Sequence, residues 1–208
     1  MNKRDAAETK ARILSTAEKL FSEVGFDKAR VDDIAKEAGV NKALIYYYFE
    51  SKDEILKTLF SSLVEDAKRM LVETVEKASD VLNEDNYKVL FDIYIRFIME
   101  KRKILKVAIA ESVKESSSSI SVVMELGNLI INAEIESIRK ACESKGLNYP
   151  EDKKEILVME FFTGLMPFIC FALFEDQWES YYHMSEKELC EYFYKAFKKT
   201  HLAAHLPK

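Results

Sequence analysis

Three consecutive tyrosines, Tyr46, Tyr47 and Tyr48, stand between Lys42 and Lys52, with Ala43 and Leu44 directly after the first lysine. A lysine can bond a guanine edge or a phosphate, and small or apolar side chains such as Ala43 and Leu44 can meet a thymine methyl. Neighbouring positions of a helix lie about 100° apart, so three adjacent tyrosines cannot share one buried face. At least one phenol must point outward, where its hydroxyl can donate to a phosphate. Arg30, a short distance upstream, could hold a phosphate by charge. Together these side chains suit the recognition of a polyanion and its base edges rather than the making or breaking of bonds.

The residues around them supply two short helices. Ile34, Ala35 and Ala38 form an i, i+1, i+4 apolar edge, and Asp32 and Asp33 complement a helix N-terminus. Gly39 can take the left-handed backbone that ends a helix without steric penalty. Val40 plugs the turn, and Ile45 with Phe49, at i+4, would bury the second helix. This is helix-turn-helix patterning, with the second helix left free for a DNA major groove. Ser51 and Glu54 have capping-box spacing, so a further helix starts there. Its N-terminus and Lys52 form a second place for a phosphate.

Residues 9–60 resemble the DNA-binding domain of the tetracycline-repressor (TetR) family of regulators. The resemblance rests on the helix 9–24, Gly25-Phe26, Asp33-Ile34-Ala35, Ala38-Gly39-Val40, Lys42, Ile45-Tyr46-Tyr47, Phe49, Ser51-Lys52 and Leu56. It implies that Lys42, Ala43, Leu44, Tyr46, Tyr47, Tyr48 and Lys52 occupy DNA-contact positions. The chain departs from the family at Arg30, where a hydroxyl residue is common. It also departs at Ala43, Leu44 and Tyr48, where glycine, a hydroxyl residue and histidine are frequent. Base preference therefore does not carry over.

Composition points to an all-α fold: 48% of the residues are hydrophobic and 12% aromatic, with five glycines and three prolines in 208 residues. The net charge of −5 is unevenly spread. Residues 1–60 hold 11 basic and 11 acidic side chains, leaving 20 and 25 for the remainder, so the acidic excess lies C-terminally. A neutral reading domain can bind DNA if its cations share one face. Lys3, Arg4 and Lys10 could add to such a face. Cys142, Cys170 and Cys190 are odd in number and widely spaced, which fits reduced thiols in a cytoplasmic protein and no metal site. No catalytic grouping, phosphate loop or cofactor motif is present, so the reading is not that of an enzyme and no cofactor is expected.

After Ser51 the chain reads as long helices near 51–78, 85–100, 103–115, 119–145, 150–176 and 185–201, with breaks between them. The stretch 156–174 is apolar apart from Glu160, and reads as a helix buried between neighbours rather than a membrane span. A helix apolar on all faces needs cover on all faces. A second subunit is the natural cover, and the resemblance likewise implies a homodimer through helices about 150–176 and 185–201. On the helix 119–145, Glu125, Asn128, Asn132, Glu136 and Glu143 share one direction, while Glu134 points the opposite way. Such a carboxylate must be paired, protonated, or open to a cavity or interface. Phe91, Tyr94, Phe97, Met124, Phe162 and Met166, with Glu134 as polar anchor, could line an effector pocket. His201 and His205 lie close to the chain end and read as a frayed tail.

The expected protein has a three-helix helix-turn-helix domain over 1–50 and a helical effector-binding and dimerisation domain over 51–208. It would be a ligand-responsive regulator, a repressor by family default. It would bind a palindromic double-stranded DNA operator as a homodimer and leave it when a small hydrophobic effector binds. The alternatives are a TetR-like protein without an effector, and a helical small-molecule-binding protein or enzyme that no longer binds DNA.

Overall fold

The computed structural model describes residues 3–77, 83–114, 121–148 and 152–205. These residues are helical throughout, with turns between the helices. The breaks expected near 79–86, 116–119 and 146–150 fall wholly or partly outside the described residues. The chain divides into two units, Met1–Glu65 with Lys103–Val123, and Asp66–Arg102 with Met124–Lys208.

In the first unit, α1 (Lys3–Val24) buries Ile13, Ala17 and Phe21, the i, i+4, i+8 edge of an amphipathic helix. Each large apolar side chain buried in this way contributes about 1.5–3 kcal/mol. Gly25, at φ +85°, ends α1, and Phe26 packs edge-on against Phe21 with ring centroids 5.2 Å apart. Next come α2 (Val31–Ala38), α3 (Lys42–Tyr48) and the start of α4 (Lys52–Lys77). The later segment α6 (Arg102–Ser112) adds Ile104, Leu105, Val107 and Ala108 to the buried set.

The second unit holds the rest of α4, α5 (Glu84–Glu100), most of α7 (Val122–Ser144) and a long C-terminal hairpin. The first arm of the hairpin is α8 (Lys153–Met159), a π-helical turn over Glu160–Leu165, and α9 (Met166–Tyr182). The second arm is α10 (Glu186–Phe197), a π-helical turn over Lys198–Leu202, and the short α11 (Ala203–His205). Pro167 explains the first π turn. It has no N–H to give the carbonyl four residues back, and its ring crowds that carbonyl, so the helix widens just before it. α5 and α10 pack against α9.

The first arm was expected to stop near 176 but continues to Tyr182. No glycine or proline lies between 176 and 182, and the stop is made by His183 in the left-handed region at φ 54°. A capping box then starts α10, with Ser185 Oγ accepting from the Glu188 N–H and Glu188 accepting from the Ser185 N–H. Lys153–Tyr182 is long and apolar enough to cross a membrane by length and composition. Ile156, Glu160, Leu165, Phe168, Ile169 and Ala172 are nonetheless buried against protein, as expected of a helix held between neighbours.

Candidate nucleic-acid interface and core cavity

The helix-turn-helix closes by backbone geometry. Gly39 sits at φ 65°, its N–H donates to the Lys36 carbonyl at 3.3 Å, and the Val40 N–H donates to the Ala35 carbonyl at 3.0 Å. This paired arrangement satisfies the end of α2 and turns the chain. Asn41 then caps α3, its Oδ1 accepting from the Leu44 N–H at 2.7 Å. Ile34, Ala35, Ala38, Ile45 and Phe49 are buried, which holds α2 and α3 together.

Arg30, Lys42, Ala43, Tyr46 and Tyr47 are exposed, and Leu44 is half-buried. Tyr47 is 75% exposed and Tyr46 49%, so two phenols face out. Arg30 precedes α2 with extended backbone and makes no side-chain cap; its carbonyl instead accepts from the Asp33 and Ile34 N–H groups, both at 3.1 Å. Lys42 pairs with Asp32 at 2.9 Å, a bond that raises the lysine pKa and bridges α2 to α3. Lys10 sits over the Phe49 ring at 5.2 Å, and the side chains of Lys3 and Arg4 lie outside the described residues.

Two of the expected contact residues face elsewhere. The Tyr48 hydroxyl is buried with no hydrogen-bond partner, against the outward phenols of its neighbours. The Lys52 ammonium donates to the carbonyls of Phe26 (2.7 Å), Ala29 (3.0 Å) and Asp27 (3.3 Å), and lies over the Phe26 ring. All three of its N–H groups are thereby used within the fold. The Ser51 cap forms on the Glu54 N–H at 3.1 Å, while the Glu54 carboxylate reaches one residue beyond the expected position, to the Glu50 N–H.

The second unit holds a partly open cavity of about 310 Å³. Phe91, Phe97, Phe168, Ile130 and Leu165 form apolar walls, and Tyr94, Glu134, Glu160 and His201 supply the polar groups. Tyr94 is hydrogen-bonded to Glu134, and Glu134 in turn to Glu160. Burial and the charge of Glu160 push the Glu134 carboxyl up to about 8. Tyr94 is also pushed well above the usual phenol range, by burial first and by Glu134 second. His201 Nε2 lies 3.3 Å from Glu160 Oε2, and both side chains are buried.

The ring's tautomer follows from its other neighbour. Thr163 Oγ1 gives its one hydrogen to the Met159 carbonyl at 2.7 Å and lies 2.9 Å from His201 Nδ1. Nδ1 must therefore be the donor in that contact, while Nε2 faces Glu160. Gly164 makes the approach possible. A Cβ there would stand 2.9 Å from His201 Cε1 and 3.1 Å from Glu160 Oε2.

Residues 13–59 match the family model described as bacterial regulatory proteins, tetR family. This segment is a TetR-family DNA-binding domain. The chain is 33% identical over 92 residues to IcaR of Staphylococcus aureus, a negative transcriptional regulator of the biofilm operon icaADBC, covering 43% of this chain and 50% of that one. It is also 33% identical over 82 residues to the transcriptional regulator EthR of Mycobacterium tuberculosis, covering 39% of this chain and 38% of EthR. The chain thus spans half or less of these relatives' lengths. Over nearly its whole length its fold is that of the fatty acid degradation regulator FadR from Bacillus halodurans, with a TM-score of 0.67, 20% identity, and 91% and 94% of the two chains covered. FadR from Bacillus subtilis, solved in complex with stearoyl-CoA, gives a TM-score of 0.61 at 18% identity, with 90% and 96% covered.

The cavity brings together Phe91, Tyr94, Phe97 and Glu134 of the expected pocket residues. Met124, Phe162 and Met166 do not line it. Met124 and Phe162 are 54% and 65% exposed, because Phe162, two residues past Glu160, points to the far side of the helix. Phe168, Phe197 and His201 take their place. His201 is a correction: it is buried and bonded, not frayed. The signal for it was Gly164, the glycine one turn after a lone acidic residue in an apolar helix. Among the described residues no cluster of three or more histidine, cysteine or acidic side chains is arranged to hold a metal.

Proposed function

We propose that this TetR-family chain is a ligand-responsive repressor that acts in the cytoplasm as a homodimer on a palindromic operator. The observation that carries the ligand response is the cavity of about 310 Å³ with apolar walls and a few convergent polar groups. IcaR, described as a negative regulator, supports repression, and the stearoyl-CoA complex of one FadR of the same fold supports a ligand with a long apolar chain.

In this reading residues 1–50 form the reading domain and 51–208 the effector-binding and dimerisation domain. Lys42, Ala43 and Leu44 meet base edges from the start of α3, while Arg30, Tyr46 and Tyr47 hold phosphates. Tyr48 and Lys52, of the original set, act by holding α3 and the loop 25–30 in place. Val158, Phe162, Phe174, Trp178 and Tyr181 leave an apolar stripe along α8 and α9, each at least 47% exposed. A second copy is its cover, and two-fold pairing sets two α3 helices about 34–36 Å apart. Effector binding then favours whichever arrangement of the dimer does not fit the operator, by differential affinity for the two.

A gel shift with the upstream region of the chain's own gene, paired with light scattering, tests this. A dimer that binds a palindrome there supports the proposal. A monomer in solution, or no retained fragment with a palindromic site, overturns it.

A further inference from the structure

The cavity is acidic where its walls are otherwise apolar. Among the described residues that line it, Lys140 is the one lysine or arginine; it is exposed and pairs with Glu136 at 3.3 Å. Inside, two carboxyl groups from different helices meet, Glu134 of α7 and Glu160 of the π turn, with the Tyr94 phenol beside them. A carboxylate or phosphate head entering here would find no buried lysine or arginine to offset its charge. An ammonium would find two carboxyl groups and a phenol oxygen as acceptors, and the faces of Phe91 and Phe168 nearby.

We propose that the effector is a lipophilic amine, its ammonium seated between Glu134 and Glu160 and its apolar body against Phe91, Phe97 and Phe168. This rests on the effector-cavity reading above and names the head group that reading leaves open. The protons balance. At neutral pH Glu134 holds a proton, because burial and the neighbouring Glu160 push its pKa up to about 8. An ammonium entering beside Glu134 displaces that proton to solvent, so the incoming positive charge is matched by one new carboxylate. The groups facing Glu134 in this exchange are Tyr94 and Glu160, with His201 behind Glu160.

Calorimetric titration of the 208-residue chain at pH 7 with decylamine, 1-decanol, decanoate and decanoyl-CoA tests the proposal, run in two buffers of different protonation enthalpy. The expected result is decylamine binding about tenfold or more tighter than the other three, with release of about one proton. Glu134→Gln abolishes the preference for decylamine over 1-decanol, and a circular-dichroism melt reports that the variant is folded. The wild-type ranking stands without any variant. Decanoate or decanoyl-CoA binding as tightly as decylamine, or four ligands bound alike, overturns the amine and leaves the cavity as an effector site. Binding of none of the four overturns both readings.

Discussion

The Lys52 ammonium lies 4.3 Å from the centroid of the Phe26 ring while donating to the carbonyl of the same residue at 2.7 Å. With Ala29 and Asp27 as further acceptors, it ties the N-terminus of α4 to the loop between α1 and α2. Lys52→Met keeps most of the stem over the ring and removes the charge. The expected outcome is a loss of about 1–3 kcal/mol of stability from three carbonyls that lose a charged donor. The salt dependence of operator binding should change by much less than the ~0.9 unit of log K per log salt that one lost phosphate contact gives. An unaltered melting temperature together with a slope change near that value would show that Lys52 meets DNA instead.

The phenols of α3 divide by direction. Tyr46→Phe and Tyr47→Phe each remove an exposed hydroxyl and should weaken operator binding by about 3- to 10-fold, the worth of one hydrogen bond of 0.5–1.5 kcal/mol. Tyr48→Phe removes a buried hydroxyl that has no partner, so stability should hold or rise and affinity should not change. Fluorescence anisotropy with a labelled operator separates the three. A Tyr48→Phe loss equal to the other two would contradict the assignment.

The turn of the reading domain was legible because each requirement has a side-chain signature: Gly39 for the left-handed backbone, Val40 for the plug, and Ile45 with Phe49 for the buried edge. Glu134 was legible because it lies opposite a polar face on one regular helix. Lys52 was not, because its partners are backbone carbonyls, which any residue type at 26, 27 and 29 supplies. His201 was missed for a different reason. Its place near the chain end read as a frayed tail, but it sits in the π turn over 198–202 and packs against Gly164 and Glu160. Met124, Phe162 and Met166 were grouped as wall residues by their apolar character alone, whereas Phe168, Phe197 and His201 line the cavity.

Glu134 makes stability depend on pH in an unusual sense. Its pKa of about 8 in the folded chain lies above the ordinary carboxyl value, so the native state keeps a proton that the unfolded chain has lost. Its contribution is full below the unfolded pKa and falls as pH rises toward 8, with a limiting slope of about 1.4 kcal/mol per pH unit. Sharing of the proton with Glu160 reduces that slope. Thermal melts from pH 5.5 to 8.5 should therefore decline more steeply for the wild type than for Glu134→Gln, with the variant the more stable at pH 8. Parallel profiles would mean that Glu134 does not hold this proton.

Gly164 stands where helix propensity and packing oppose each other. Alanine in place of a helical glycine gains about 1 kcal/mol, whereas a Cβ 2.9 Å from His201 Cε1 must push a buried ring away from Glu160, at about 1–3 kcal/mol. Packing should win, so Gly164→Ala alone is destabilising. In a His201→Ala background the obstructing ring is gone and the propensity term is left, so the same substitution should turn stabilising. The two residues touch, and a cycle of single and double variants measured by urea unfolding should thus give a coupling well outside the few tenths of a kcal/mol found for independent sites. Additive effects, or a Gly164→Ala that stabilises the wild type, would mean that the glycine is not what admits His201 to Glu160.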